Sequence, residues 1–158
     1  MLHVALFQPM IPPNVGNSAR TCIGLGARLH LIGPHRLDYS EHAVKRAGLD
    51  YWDHLDRQMH ETPEAFLDWL GGRAMWLVTK HGRHRFDQPA YGDEHVLVFG
   101  NEKEGLPDHW LSRWPERTVY VPILGPIRSY NLGNTVAMVT AQARIQIDSA
   151  PWVCQNER

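Results

Sequence analysis

The chain has 158 residues, of which 43% are apolar and 21% charged, a composition that excludes collagen-like, low-complexity and disordered classes. This length suits one folded unit, so we expect residues 1–158 to form a single domain with a C-terminal tail at 148–158. The formal net charge is −1, so a polyanionic partner would have to meet a local basic patch rather than an overall positive charge.

The first part of the chain predicts two strands, each followed by a helix. Leu2–Phe7 is a short apolar strand, and a rigid loop ending at the capping residue Asn14 leads into a helix that closes at Gly24. Arg28–Ile32 alternates as a second strand, and Ser40–Ala47 predicts a short helix capped by its own serine.

The middle of the chain predicts three strands and a helix. Trp52–Leu55 indicates a brief strand, and Thr62 caps a helix that begins at Pro63 and runs through Leu70. Ala74–Thr79 and Glu94–Phe99 are near-continuous apolar runs of the kind that parallel sheets bury on both faces.

The last part predicts a helix, a strand and the longest helix of the chain. These elements cover Pro107–Trp114, Thr118–Pro122 and Asn131–Ile147, the last capped by Asn131 or Asn134. Strands that alternate with helices predict an α/β domain with a mostly parallel sheet flanked by helices. Ligands of such sheets bind outside the carboxyl ends of the strands, so we expect a site at the turns that follow Thr79, Phe99 and Val121.

Several common classes of site and location are disfavoured. Cys22 and Cys154 are far apart and match no metal or disulfide spacing, which favours a reducing compartment, the cytoplasm. His81 and His84 have no carboxylate or thiol in register, so we predict no metal. No run is long and apolar enough to cross a bilayer, so we predict no membrane contact.

Three segments carry polar and glycine residues where ligands are expected. Asn14–Arg20 lies where the first strand hands over to the first helix. In Phe99–Pro107, glycines at the end of a buried strand would let backbone amides approach a ligand. Val121–Asn134 is an apolar, glycine- and proline-bent loop that runs into the last helix, as in the lining of many small-molecule pockets.

Together these segments resemble the three signature motifs of the SPOUT class of S-adenosylmethionine-dependent RNA methyltransferases. The motifs are N-x-G-N-x-x-R, G-x-E-x-x-G-L-P, and I-P followed by S-x-N-L-x-N. Ile11–Asn14, Arg28–His30 and Arg46–Tyr51 are further similar to the subfamily that methylates the 2′-oxygen at the tRNA wobble position. The resemblance extends to about Arg144 and leaves the tail uncovered.

The resemblance implies a fold, a reaction and partners. The fold is a homodimeric α/β knot, in which a deep trefoil knot near the C-terminus forms the cofactor pocket. The reaction moves a methyl group from S-adenosylmethionine to the ribose 2′-hydroxyl of nucleotide 34, a cytidine or carboxymethylaminomethyluridine, in leucine tRNAs. The partner is then the tRNA anticodon stem-loop, where the target base is unpaired.

The resemblance also implies roles for individual residues. Arg20, Ser129 and Asn131 would be catalytic, and Arg20, Lys45 and Arg46 would contact RNA. The implied cofactor-binding residues are Leu77, Thr79, Gly100, Asn101, Glu102, Gly105, Val121, Ile123, Ser129 and Leu132. Because a guanidinium stays protonated, Arg20 is better suited to anchoring the ribose phosphate and favouring the alkoxide than to accepting a proton. Ser129 and Asn131 either orient the hydroxyl and the cofactor or only cap the last helix.

Two other readings stay open at this point. One is a SPOUT 2′-O-methyltransferase that modifies another tRNA position or ribosomal RNA. The other is a module that binds cofactor and RNA without catalysis, against which the joint presence of Arg20, Glu102, Ser129 and Asn131 speaks.

Overall fold

The computed structural model describes residues 1–40 and 52–148. All but the first residue of the helix predicted over Ser40–Ala47 lies outside the described residues. The predicted RNA-binding residues Lys45 and Arg46, Cys154 and most of the tail lie outside them as well.

Within the described residues, seven strands form one sheet with the order β3-β2-β1-β6-β4-β7-β5. Each described pairing between neighbouring strands is parallel, which confirms the predicted sheet. The strands are β1 (His3–Phe7), β2 (Arg28–Ile32), β3 (Arg57–His60), β4 (Met75–Val78), β5 (His84–Arg85), β6 (Val96–Phe99) and β7 (Thr118–Tyr120).

Helices cover both faces of this sheet. Their bounds are α1 (Pro12–Gly24), α2 (Pro63–Leu70), α3 (Asp108–Arg113) and α4 (Leu132–Ile147), with 3-10 turns at Trp52–His54 and Pro115–Arg117. The central strands alternate between two cores, as the period of two in a strand requires. Leu97 packs on one face with residues of α1 and α4. Val96 and Val98 pack on the other face with Phe66 of α2 and Trp110 of α3.

One predicted strand is wrong, and strands β3 and β5 were not predicted. Trp52–Leu55, predicted as a strand, begins as a 3-10 turn, and the strand comes later as β3. β3 is at the sheet edge and mostly polar, so it carries no apolar alternation. β5 has only two residues at the opposite edge and left no readable pattern.

Helix α1 begins earlier than predicted. Its first residues are Pro12 and Pro13, and Asn14 lies inside the helix instead of capping it. Proline has no N–H that would need a partner in the first turn, and its fixed φ suits that position. The Asn14 side chain is thereby free to make a contact in the site described below.

The deep trefoil knot implied by the resemblance stays a prediction. Within residues 1–40 and 52–148, no helix combines the length and the apolar character that a membrane span needs.

Candidate active site

The carboxyl ends of four adjacent strands bring the candidate site together. β6 lies between β1 and β4, and β4 pairs with β7 on its other side. The segments that follow these strands, together with the starts of α1 and α4, surround a cavity of about 570 Å³. This volume lies within the usual range for small-molecule sites.

Most of the predicted site residues line this cavity. They are Thr79, Gly100, Asn101, Glu102, Gly105, Val121, Ile123, Ser129, Asn131 and Leu132. The three turns chosen from the sequence are therefore one site in space.

Leu77 is not among the residues that line the cavity, and its cofactor contact stays a prediction. Its side chain is fully buried in the core beneath α2 and α3. The next residue, Val78, belongs to the opposite core and lines the cavity at the end of β4. Alternation along the strand therefore assigns the lining position to Val78, which the sequence analysis missed.

Arg20 is outside the cavity wall. It is an exposed residue of α1, whereas Ile11 and Asn14 at the start of that helix line the cavity. Arg20 follows Asn14 by six residues, which in a helix is a rise of roughly 9 Å. Its proposed role toward the RNA stays a prediction.

The carboxylate of Glu102 binds the segment that begins α1. Its Oε2 accepts a hydrogen bond from the backbone N–H of Met10 at 2.8 Å, and its Oε1 accepts from the backbone N–H of Ile11 at 3.1 Å. Oε1 also accepts from Asn14 Nδ2 at 2.8 Å. A carboxylate is favoured beside a helix N-terminus, where unpaired N–H groups and the helix dipole are positive. Glu102 thus fixes the cavity wall through its side chain.

Asn14 connects Glu102 to the start of the last helix, α4, through a hydrogen bond with Asn131. Asn131 Nδ2 donates to Asn14 Oδ1 at 2.8 Å, while Asn131 Oδ1 accepts from the backbone N–H of Asn134 at 3.3 Å. Asn131 is therefore the N-cap of α4, as one of the two predicted options, and it contacts α1 at the same time. Glu102, Asn14 and Asn131, one from each motif, form a single hydrogen-bonded chain.

The turn after β6 depends on its two glycines for its own packing. Asn101 and Gly105 exchange backbone hydrogen bonds, and Asn101 Oδ1 accepts from the N–H groups of Lys103 and Glu104 at 3.0 and 2.7 Å. Gly105 has φ +75°, which favours glycine, and a Cβ on Gly100 would overlap the backbone of Gly105 and Leu106. The atoms nearest to such a Cβ belong to the turn itself, so the turn already requires a glycine here, and room for the ligand at Gly100 stays a prediction.

The loop after β7 adds an apolar side and a polar rim. Val121, Ile123 and Leu132 are half-buried at the cavity, and Ser129 is exposed at its edge. The hydroxyl of Tyr130 donates to the carbonyl of Pro122 at 3.1 Å, which closes the loop on itself. The cavity can thus hold a flat apolar ring together with polar groups at its mouth.

The described residues show no group of three His, Cys, Asp or Glu side chains arranged to hold a metal ion. The absence of a resident metal stays a prediction from the sequence.

Known proteins share this fold and sequence. Residues 1–141 match the model of the SpoU rRNA Methylase family. The tRNA (cytidine(34)-2′-O)-methyltransferase of Methylovorus glucosotrophus is 40% identical over 151 residues, covering 95% of this chain and 98% of that protein. A solved structure reported for the 2-OH methylation of C/U34 on tRNA is 41% identical, with a TM-score of 0.85 and coverage of 92% of this chain and 95% of that one.

A more distant structural neighbour holds a cofactor. The AdoMet-bound rRNA methyltransferase from Sinorhizobium meliloti has a TM-score of 0.81 at 26% identity, covering 94% of this chain and 57% of that one. The match over most of the chain, with the three motifs joined around one cavity, shows that this chain belongs to the SpoU rRNA methylase family.

Proposed function

We propose that this protein methylates the ribose 2′-oxygen of nucleotide 34 in tRNA, a cytidine or 5-modified uridine of leucine isoacceptors, with S-adenosylmethionine as the donor. One observation carries the proposal: the three motifs lie around one cavity, and hydrogen bonds from Asn14 to Glu102 and from Asn131 to Asn14 connect them. The 40% identity to a protein named for this reaction supports the choice of nucleotide.

The cavity fits the proposed cofactor. Val121, Ile123 and Leu132 offer apolar surface for the adenine ring. Asn101 lies at the wall, 6% exposed, and its Nδ2 has no hydrogen-bond partner in the described part of the chain. A buried donor of this kind is costly unless a bound molecule accepts from it. When bound, the cofactor supplies an activated methyl group on a sulfonium.

The side chains around the cavity have distinct tasks in this proposal. Ser129 and Asn131, at the edge nearest to solvent, orient the attacking hydroxyl. Arg20 binds the ribose phosphate and stabilises the developing alkoxide, because a guanidinium keeps its charge throughout. Asn131 is already fixed by Asn14, so little ordering is needed when the substrate arrives.

The proposal also includes the anticodon stem-loop as the RNA element, a homodimer as the active form, and the cytoplasm as the location. An unpaired anticodon base can be splayed away from its neighbours, so a small domain can reach its ribose.

Cys22, the free cysteine among the described residues, is fully buried. Burial raises the pKa of its thiol to about 12, in keeping with an inert structural thiol.

Methylation of ribosomal RNA is the second candidate function. It is favoured by the neighbour from Sinorhizobium meliloti, an rRNA methyltransferase that binds AdoMet within the same fold. The large difference in identity, 26% against 40%, favours tRNA.

Transfer of labelled methyl groups to separate tRNA and rRNA pools tests the proposal. We expect label in leucine tRNAs, and mapping of the product should place it at the ribose of nucleotide 34. Label in rRNA alone would select the second candidate. Binding of both cofactor and RNA without any transfer would instead establish a non-catalytic module.

A further inference from the structure

A second cleft, of about 450 Å³, opens beside the cofactor cavity. Its charged and polar lining comes from the segments that follow β4, β6 and β7, namely Lys80, Glu102, Lys103, Arg128 and Ser129. Three of these five side chains are cations, although the whole chain has a formal charge of −1.

The one carboxylate in this lining does not neutralise the cations. The oxygens of Glu102 accept hydrogen bonds from the N–H groups of Met10 and Ile11 and from the Asn14 amide. Across residues 1–40 and 52–148, no ion pair involves Lys80, Lys103 or Arg128, and all three are exposed. Three cations and one carboxylate leave this concave surface with a net positive charge, which attracts an anion.

The cleft adjoins the place of the reaction. Lys80, Lys103 and Ser129 line both the cleft and the cofactor cavity. An anion in the cleft therefore lies next to any group presented to the cofactor. In RNA the attacked 2′-oxygen and the 3′-phosphate of the same nucleotide are only a few bonds apart.

We infer that this cleft is a subsite for a backbone phosphate of the RNA strand beside the methylated ribose, bound by Lys80, Lys103 and Arg128. The inference rests on the proposed function and extends it to the residues that position the nucleotide. Arginine can donate hydrogen bonds to two phosphate oxygens at once, whereas the lysines act as point charges. The three side chains together would position the RNA strand without recognising the base sequence.

Salt-dependent RNA binding tests the subsite with Lys103→Gln and Arg128→Gln. The matched control is Arg73→Gln. Arg73 precedes β4 and therefore lies near the amino end of that strand, whereas the cleft lies at the carboxyl end. Binding of leucine tRNA is measured with S-adenosylhomocysteine present, and cofactor affinity is measured separately by calorimetry. Each cleft variant should weaken tRNA binding several-fold and lower the slope of log Kd against log salt, by no more than about 0.7 to 0.9, which is the full contribution of one phosphate. Cofactor affinity should change less than twofold in Arg128→Gln, because Arg128 lines the cleft and is not in the lining of the cofactor cavity. The control should match the wild type in both measurements.

Two results would overturn the inference. One is unchanged tRNA binding and salt slope in both cleft variants while the wild type methylates tRNA. The other is a large loss of cofactor affinity in Arg128→Gln, which would assign the cations of the cleft to the carboxylate of the cofactor. Failure of the wild type to methylate any tRNA would instead overturn the proposed function, and it is read from a separate assay.

Discussion

Asn131 Nδ2 donates a hydrogen bond of 2.8 Å to Asn14 Oδ1, joining two helix starts that are 117 residues apart in sequence. Asn14 in turn donates to Glu102, which holds the segment before α1. The side-chain amide of Asn14 therefore uses its oxygen toward Asn131 and its nitrogen toward Glu102. The wall of the cavity is a connected unit, and removal of one member should displace the others.

Glu102→Gln should loosen this unit. A glutamine keeps one acceptor oxygen but presents an amide to at least one of the donors that the carboxylate now binds. These hydrogen bonds are part-buried or exposed, so an unpaired donor costs at most the roughly 1–3 kcal/mol of a buried one, about 1 kcal/mol here, and the urea midpoint and the cofactor affinity should both fall. The control is Glu104→Gln in the same turn, where the carboxylate is exposed and lies 3.7 Å from Arg36. An exposed ion pair contributes at most about 1 kcal/mol to folding stability, so an equal drop of the urea midpoint in the two variants would contradict the role of Glu102.

Arg20→Ala should separate binding of the cofactor from methyl transfer. Because Arg20 is outside the cavity wall, calorimetry should find cofactor affinity within about twofold of the wild type, whereas methyl transfer to tRNA should fall by 100-fold or more, on the order of one lost electrostatic stabiliser. Arg20→Lys keeps the charge without the planar fork and should retain part of the activity. A large drop in cofactor affinity, or full activity in the alanine variant, would refute the assignment.

The location of the site was readable from the sequence because it depends on local signals. Buried strands ending at Val78 and Phe99 are apolar runs, and parallel strands bring their carboxyl ends to one edge. Thr62 at the start of α2 and Asn131 at the start of α4 show capping signals that the structure confirms.

Contacts between segments that are distant in the chain could not be predicted from such local sequence signals. Glu102 was assigned to the cofactor because its motif suggested a ligand, and its partner Asn14 is 88 residues away. Leu77 and Val78 are both apolar, so only the pleat of the strand decides which one lines the cavity. β3 was missed because an edge strand with one neighbour needs no apolar alternation.

Gly100→Val should damage the turn after β6 rather than merely fill space. A Cβ at this position would overlap backbone atoms of Gly105 and Leu106, so the turn must move and Asn101 with it. We expect a loss of cofactor affinity together with a stability loss of several kcal/mol, as found for overpacked sites. Gly24→Ala is the control, because a Cβ at the end of α1 has nothing within 4 Å. That variant should be neutral or stabilised by up to about 1 kcal/mol. Normal cofactor affinity and normal stability in Gly100→Val would show that the turn does not need its close approach.

Three buried histidines form a row across adjacent strands. His3 Nδ1 lies 3.0 Å from His30 Nε2, and His30 Nδ1 lies 3.0 Å from His60 Nε2. Burial lowers the pKa of all three, and it lowers the pKa of His30 to about 2. The ring of Trp69 covers His30, with the centroids 4.1 Å apart. Each shared hydrogen bond needs one neutral acceptor nitrogen, which protonation would remove.

Folding stability should therefore fall as the pH drops below about 6.5. At higher pH these histidines are neutral in both states, but below their unfolded pKa of about 6.5 the unfolded chain binds protons that the folded chain excludes. Each excluded proton contributes a slope of at most about 1.4 kcal/mol per pH unit. Glu94, which contacts His3, has its pKa lowered to about 2 by the N-terminal amino group, so its own stabilisation is lost only at more acidic pH.

Urea unfolding at closely spaced pH values between 7 and 5 measures this slope. His30→Gln keeps a hydrogen-bonding side chain but removes the middle titrating group, so its stability should depend less steeply on pH. His109→Gln is the control, because His109 is exposed on α3 and outside the row. A flat profile in the wild type, or equal slopes in the wild type and His30→Gln, would show that the row does not exclude protons in the folded state.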